Sequence, residues 1–221
     1  MRLLAITVLA VLAASAAKSA ELDQAAFKRV LADPNLQAAV IDAAKKTNVV
    51  VADACPNPYI KILETVHVES VPRFAAEGNL VSGAWVQDLF YVGCGAARAL
   101  HVFVEFAEGK NPNVRSLFPG STHAGPLLQM DVFNSAGFRS YLEELQRPAC
   151  QKGYVDDTAL LDRESTVAPG AKEPAWREAW TLDACGKKDV VIIMYGPDSG
   201  GTKFRIVVRE HAQPAHSATS S

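Results

Sequence analysis

The sequence predicts an α+β fold built from two similar, disulfide-stapled antiparallel β modules, with N-terminal helices and a connecting helix. Three observations predict it. The first is two copies of a cysteine motif, A-C-x3-Y, at Ala54-Cys55…Tyr59 and Ala149-Cys150…Tyr154. The second is two copies of A-W-x8-C-G, at Ala84-Trp85…Cys94-Gly95 and Ala175-Trp176…Cys185-Gly186, offset by 91 residues. The third is a strongly apolar segment after each C-G, "AARALHVFVEF" and then "KKDVVIIMYG". Four landmarks in the same order point to an internal repeat, each copy too small to bury a large core alone.

The chain has 221 residues and begins "MRLLAITVLAVLAASAAKSA". A basic start, an apolar run from Leu3 to Ala14 and small residues before Glu21 match a secretory signal peptide over 1–20. The run is too short to span a bilayer, so no integral membrane span is expected after signal removal. Of two cleavage points, a cut after Ala17 satisfies the small-x-small rule through Ser15-Ala16-Ala17, whereas a cut after Ala20 puts Lys18 at the disfavoured third position back. Loss of Arg2 and Lys18 by a cut at Ala20 leaves 20 basic against 24 acidic residues, a mildly acidic chain. That balance lacks the basic footprint of nucleic-acid binding.

Residues 21–47 are rich in Ala, Leu, Gln and Lys, and predict helices over 23–32 and 34–46, broken at Asp33-Pro34. Residues 48–110 form the first module, with strands expected near 59–68, 84–92 and 97–106. Residues 111–147 connect the modules. Their Pro-, Gly- and Ser-rich start, "LFPGSTHAGP", predicts a loop, and Phe138, Tyr141, Leu142 and Leu145 then mark one stripe of a helix over 135–146. The loop is the best candidate for a functional surface. Residues 148–210 form the second module, with strands near 154–161, 176–182, 190–195 and 202–210. Phe204, Ile206 and Val208 alternate with Lys203, Arg205 and Arg209. The tail, 211–221, is small and polar and is expected to be disordered.

Cys55, Cys94, Cys150 and Cys185 make an even count in an exported chain, which predicts two disulfides. Each of the three pairings respects a two-fold relation between the modules. Locality favours Cys55–Cys94 and Cys150–Cys185, closing loops of about 40 and 36 residues. Such loops stabilise by roughly 3–4 kcal/mol each in the chain-entropy picture.

Within "MYGPDSGGTKF", Gly196-Pro-Asp-Ser199-Gly-Gly201 lies one proline from the G-D-S-G-G around a trypsin-like nucleophile. The flanking strands and the turn-forming composition of 197–201 make it a hairpin loop instead. The register of the repeat places Glu108 at the position of Ser199, which a turn explains and a nucleophile does not. The alternative of an extracytoplasmic hydrolase would draw on Ser121, His123, Asp131 or Ser199, without a motif in its proper context. His67, His101 and His123 form no recognised metal motif, so no metal, cofactor or catalytic set is predicted. The expected role is a non-enzymatic envelope or periplasmic protein that binds an envelope partner or a small ligand. A third reading is an assembly factor that pairs through exposed strand edges.

As a set, Val81-Ser-Gly-Ala-Trp85 with Cys94-Gly95, Phe118-Pro-Gly-Ser-Thr122, Pro126-Leu-Leu-Gln129 with Asp131, Cys150 with Tyr154, Trp176, Trp180, Cys185-Gly186 and Gly201-Thr202 with Phe204 resemble an uncharacterised family of exported bacterial proteins with paired A-W-x8-C-G motifs. The resemblance spans about Cys55 to Phe204. It implies a periplasmic or secreted location and no known activity. Leu89 stands where the second copy has Trp180, which implies looser packing in the first copy.

Overall fold

A computed structural model describes residues 22–94, 97–146, 150 and 152–208. The signal-peptide and tail segments, Gly95 and Arg209 lie outside the described residues. The fold is α+β. Three helices come first: α1 (Gln24–Leu31), α2 (Pro34–Lys45) and α3 (Asn48–Asp53). They precede a four-stranded antiparallel meander of β1 (Tyr59–Phe74), β2 (Leu80–Val92), β3 (Ala97–Phe106) and β4 (Asn113–Ser116), in that spatial order. A short strand β5 (Gly120–Ser121) and helices α4 (Pro126–Asn134) and α5 (Ala136–Leu145) follow. The second sheet has the order β5-β6-β7-β8-β9, with β6 (Gly153–Arg163), β7 (Trp176–Ala184), β8 (Lys187–Asp198) and β9 (Gly201–Val208). Its strands are antiparallel except for β5, which runs parallel to β6.

The helices end where their sequence supplies caps. Asp23 accepts from Ala26 N (2.8 Å), and Asp33 accepts from Asn35 N (2.7 Å) ahead of Pro34 at the first turn. Ser135 closes α4 and caps α5 by accepting from Phe138 N. Two differences from the sequence reading are physical. Pro126 starts a helix inside the expected loop, because the good helix formers Leu127, Leu128, Gln129 and Met130 follow it. Strand β1 runs six residues past the expected end at Val68, carried by bulges that absorb its irregular apolar pattern.

Each sheet packs a helix pair on one face. Leu36, Val40 and Ala43 of α2 cover Trp85, Leu89, Leu100, Val102 and Val104. Phe138, Leu142 and Leu145 of α5 cover Trp180, Leu182, Val191 and Ile193. Counted from the caps Asp33 and Ser135, these helical residues share one offset of 102. Leu89 and Trp180 are both fully buried.

The strand registers of the two meanders also coincide. Trp85 faces Val104 across the β2–β3 ladder, and adding 91 to both gives Trp176 facing Tyr195. Tyr59 pairs with Val92 and Tyr154 with Asp183, in each case two residues before a cysteine. The disulfides are Cys55–Cys94 and Cys150–Cys185, with Cα atoms 5.3 and 5.9 Å apart, so each bridge stays within its own module. Paired cysteines are the mark of an oxidising compartment outside the cytoplasm. Among the described residues no helix is long and apolar enough to cross a membrane.

The modules touch through β6. Tyr154 packs on the first core, and Asp156, almost fully buried, binds Arg98 of β3 (2.8 Å) and Lys188 of β8 (2.7 Å). Two cations around one buried carboxylate offset its desolvation and lock the sheets together.

Candidate functional site

The open face of the first sheet, opposite its helices, carries His67 on β1, Asp88 on β2 and His101 on β3. Strand pairing sets Asp88 directly across from His101 and His67 across from Val86. Asp88 reaches both imidazoles: Oδ1 to His101 Nδ1 at 2.8 Å and Oδ2 to His67 Nε2 at 3.1 Å. His101 Nε2 meets the carbonyl of Gly120 at 2.6 Å. Both nitrogens of His101 thus face acceptors, and only the doubly protonated ring donates to both. Burial would lower its pKa, but the Asp88 bond, the Gly120 carbonyl and the Asp88 charge outweigh burial and raise it. Burial would likewise raise Asp88, and the bonds and charges of His101 and His67 bring its pKa down instead. Both shifts favour the imidazolium–carboxylate form of the pair.

Against this face lies the connector. It leaves β4 at Ser116, touches β6 as β5 and enters α4 at Gly125-Pro126. Together they enclose a cavity of about 290 Å³ lined by His67, Glu69 and His101 on the sheet side and Thr122, His123 and Pro126 on the connector side. The three histidines singled out from sequence therefore converge on one cavity. Glu69 makes no ion pair among the described residues, and burial raises its pKa despite the opposing charge of His67.

The connector wall is set by Glu178 of β7. It is 0% exposed and accepts five hydrogen bonds. The indoles of Trp176 and Trp180 each donate at 3.0 Å. His123 N donates at 2.7 Å, Ala124 N at 3.1 Å and the Thr122 hydroxyl at 2.8 Å. A buried carboxylate is tolerated only when donors surround it. Here the donors are two core tryptophans and the loop itself, so 122–124 is fixed to the second sheet. Gln129 adds a second clamp, accepting from Phe118 N and donating to the Ala124 carbonyl (2.8 Å). The detectable signal was the alternation Trp176-x-Glu178-x-Trp180, which puts a carboxylate on a core face.

The candidate hydrolase residues do not assemble. His123 turns Nε2 to Glu173 (3.1 Å) and packs edge-on to Trp176. Asp131 is exposed on α4. Ser199 sits in a two-residue turn, because Asp198 pairs with Gly201 and accepts from Gly200 N at 2.8 Å. The turn expected over 197–201 is present and tighter than expected. Among the described residues no group of three or more His, Cys, Asp or Glu side chains is placed to hold a metal ion. No protein-family model, curated protein or solved structure gives a significant match to this chain.

Proposed function

We propose that this is an exported, non-enzymatic envelope protein that binds a small polar ligand in the cavity between its two modules. The observation that carries the reading is the convergence of His67, His101, His123 and Glu69 on one cavity. Glu69, a carboxylate partly shielded in the cavity and without an ion pair among the described residues, favours a ligand rich in hydrogen-bond donors, such as an amine or a polyol. Two disulfides and the signal-like segment 1–20 support export. The matched strand registers and cysteine bridges support descent of the two modules from one duplicated unit.

The test is proton NMR of the histidine rings during titration with a panel of small amines, amino acids and sugars. Joint movement of the His67, His101 and His123 signals, lost in Glu69→Gln, is the expected result. A panel that leaves all three rings unmoved overturns it. Covalent labelling of Ser121 or Ser199 by a fluorophosphonate would instead favour the hydrolase reading.

A further inference from the structure

The second module fills the gap between its first helix and the edge of its sheet with its own chain. Strand β5 lies parallel to β6, pairing Gly120 with Thr158 and Ser121 with Ala159. The Thr158 hydroxyl donates to the Pro119 carbonyl at 2.7 Å, and Glu178 and Gln129 hold the residues on either side. The first module has the same parts and, among the described residues, no such filling. Ile62 pairs with Leu89 and Thr158 with Trp180, 91 residues on, so Ile62 and Leu63 of β1 stand where Thr158 and Ala159 receive β5. Strand β1 is the edge of its sheet.

At that edge a groove of about 780 Å³ opens between α1 and β1. Leu22, Phe27, Leu31, Ile62, Leu63 and Val66 line it, and Lys28 and Glu64 stand exposed among its walls. The offset of 102 that relates the helices puts Phe27 where the second module has Gln129. Gln87, which also lines the groove, occupies the position of Glu178 and spends its amide on the Leu63 and Thr65 carbonyls of the β1 bulge (2.6 and 3.2 Å). The polar clamps that hold a Thr-His-Ala segment in the second module are thus replaced by apolar walls.

We propose that this groove is a docking site for an extended peptide segment of a partner protein, laid parallel to β1 with apolar side chains against Phe27, Leu31 and Val66. The occupied groove of the second module is the template for it. An edge strand supplies the backbone pairing and the apolar walls supply side-chain selection.

The experiment titrates the isotope-labelled, disulfide-intact protein with a capped peptide of alternating valine and threonine flanked by lysines. Saturable amide shifts confined to Ile62–Val66 and to α1 are expected, weakened about tenfold or more by Leu31→Arg. The same peptide methylated on alternate backbone nitrogens cannot pair with a strand and is expected to give no shifts, a control that does not depend on a variant folding. Absence of saturable shifts, shifts elsewhere on the protein, or equal binding of the methylated peptide overturns the proposal. Sedimentation showing self-association that Leu31→Arg abolishes would make a second copy the occupant and would also overturn it.

Discussion

At position 87 the first sheet carries Gln, and 91 residues later the second carries Glu. Both side chains are buried and both pin a neighbouring segment, but they do it with opposite polarity. The Gln87 amide donates to carbonyls of its own strand bulge, whereas the Glu178 carboxylate accepts from the connector. The indoles follow. Trp176 and Trp180 each find an oxygen of Glu178, while Trp85 Nε1, equally buried, has no acceptor among the described residues. One atom's difference, oxygen for nitrogen, accompanies the difference between a module that gathers a loop onto itself and one that does not. The gathered loop forms one wall of the histidine cavity, so the site exists because the two modules differ.

Breaking the Glu178 cluster should have the largest effect. Glu178→Ala leaves five donors without their acceptor, three of them in buried bonds, and is expected to cost about 3–5 kcal/mol in urea unfolding. Gln87→Ala removes only bonds to a bulge and should cost about 1–2 kcal/mol. Equal losses would dissolve the contrast. Next come the bridges. Loops of similar size, with sequence separations of 39 and 35, should lose similar stability when each cysteine pair is replaced by alanine, about 3 kcal/mol apiece. Thermal unfolding of the two variants measures this.

Much of this architecture was legible in the sequence, and the reasons are local. The repeat left three cysteine pairings open and locality favoured the one that forms, while apolar and alternating runs marked the strands because a buried Trp fixes a face. The hairpin at Ser199 was legible because its turn residues encode backbone angles. The extra helix α4 was masked by the Gly and Pro that open it. The site was less legible. The convergence of His67, His101 and His123 depends on sheet register and on where the connector returns, which spacing along the chain does not encode. Glu178 was missed because three of its five donors belong to the connector, more than fifty residues away in sequence.

A smaller effect sharpens the junction between modules. Asp156→Asn keeps the shape but weakens the attraction for Arg98 and Lys188, and should loosen module docking by about 1–3 kcal/mol, read by amide exchange of β3 and β6. The smallest expected effect is the pH dependence of the histidine pair. The pKa of His101 is raised in the folded state, so its contribution is full below its unfolded value near 6.5 and fades as pH rises through the folded value. Asp88 is lowered, so its contribution is present above the unfolded value near 3.8 and fades as pH falls through the folded value. Stability of the cluster should therefore peak between those limits and decline toward alkaline pH. His101→Asn should flatten the alkaline decline in thermal unfolding curves.

The histidine ring spectrum of Glu178→Ala tests the central claim most directly, that one buried carboxylate builds the cavity wall. Displaced His101 and His123 signals are expected, as the connector detaches, together with unchanged amide protection in the first core around Trp85 and Val102. Ring signals that stay at their native positions in this variant would contradict the account.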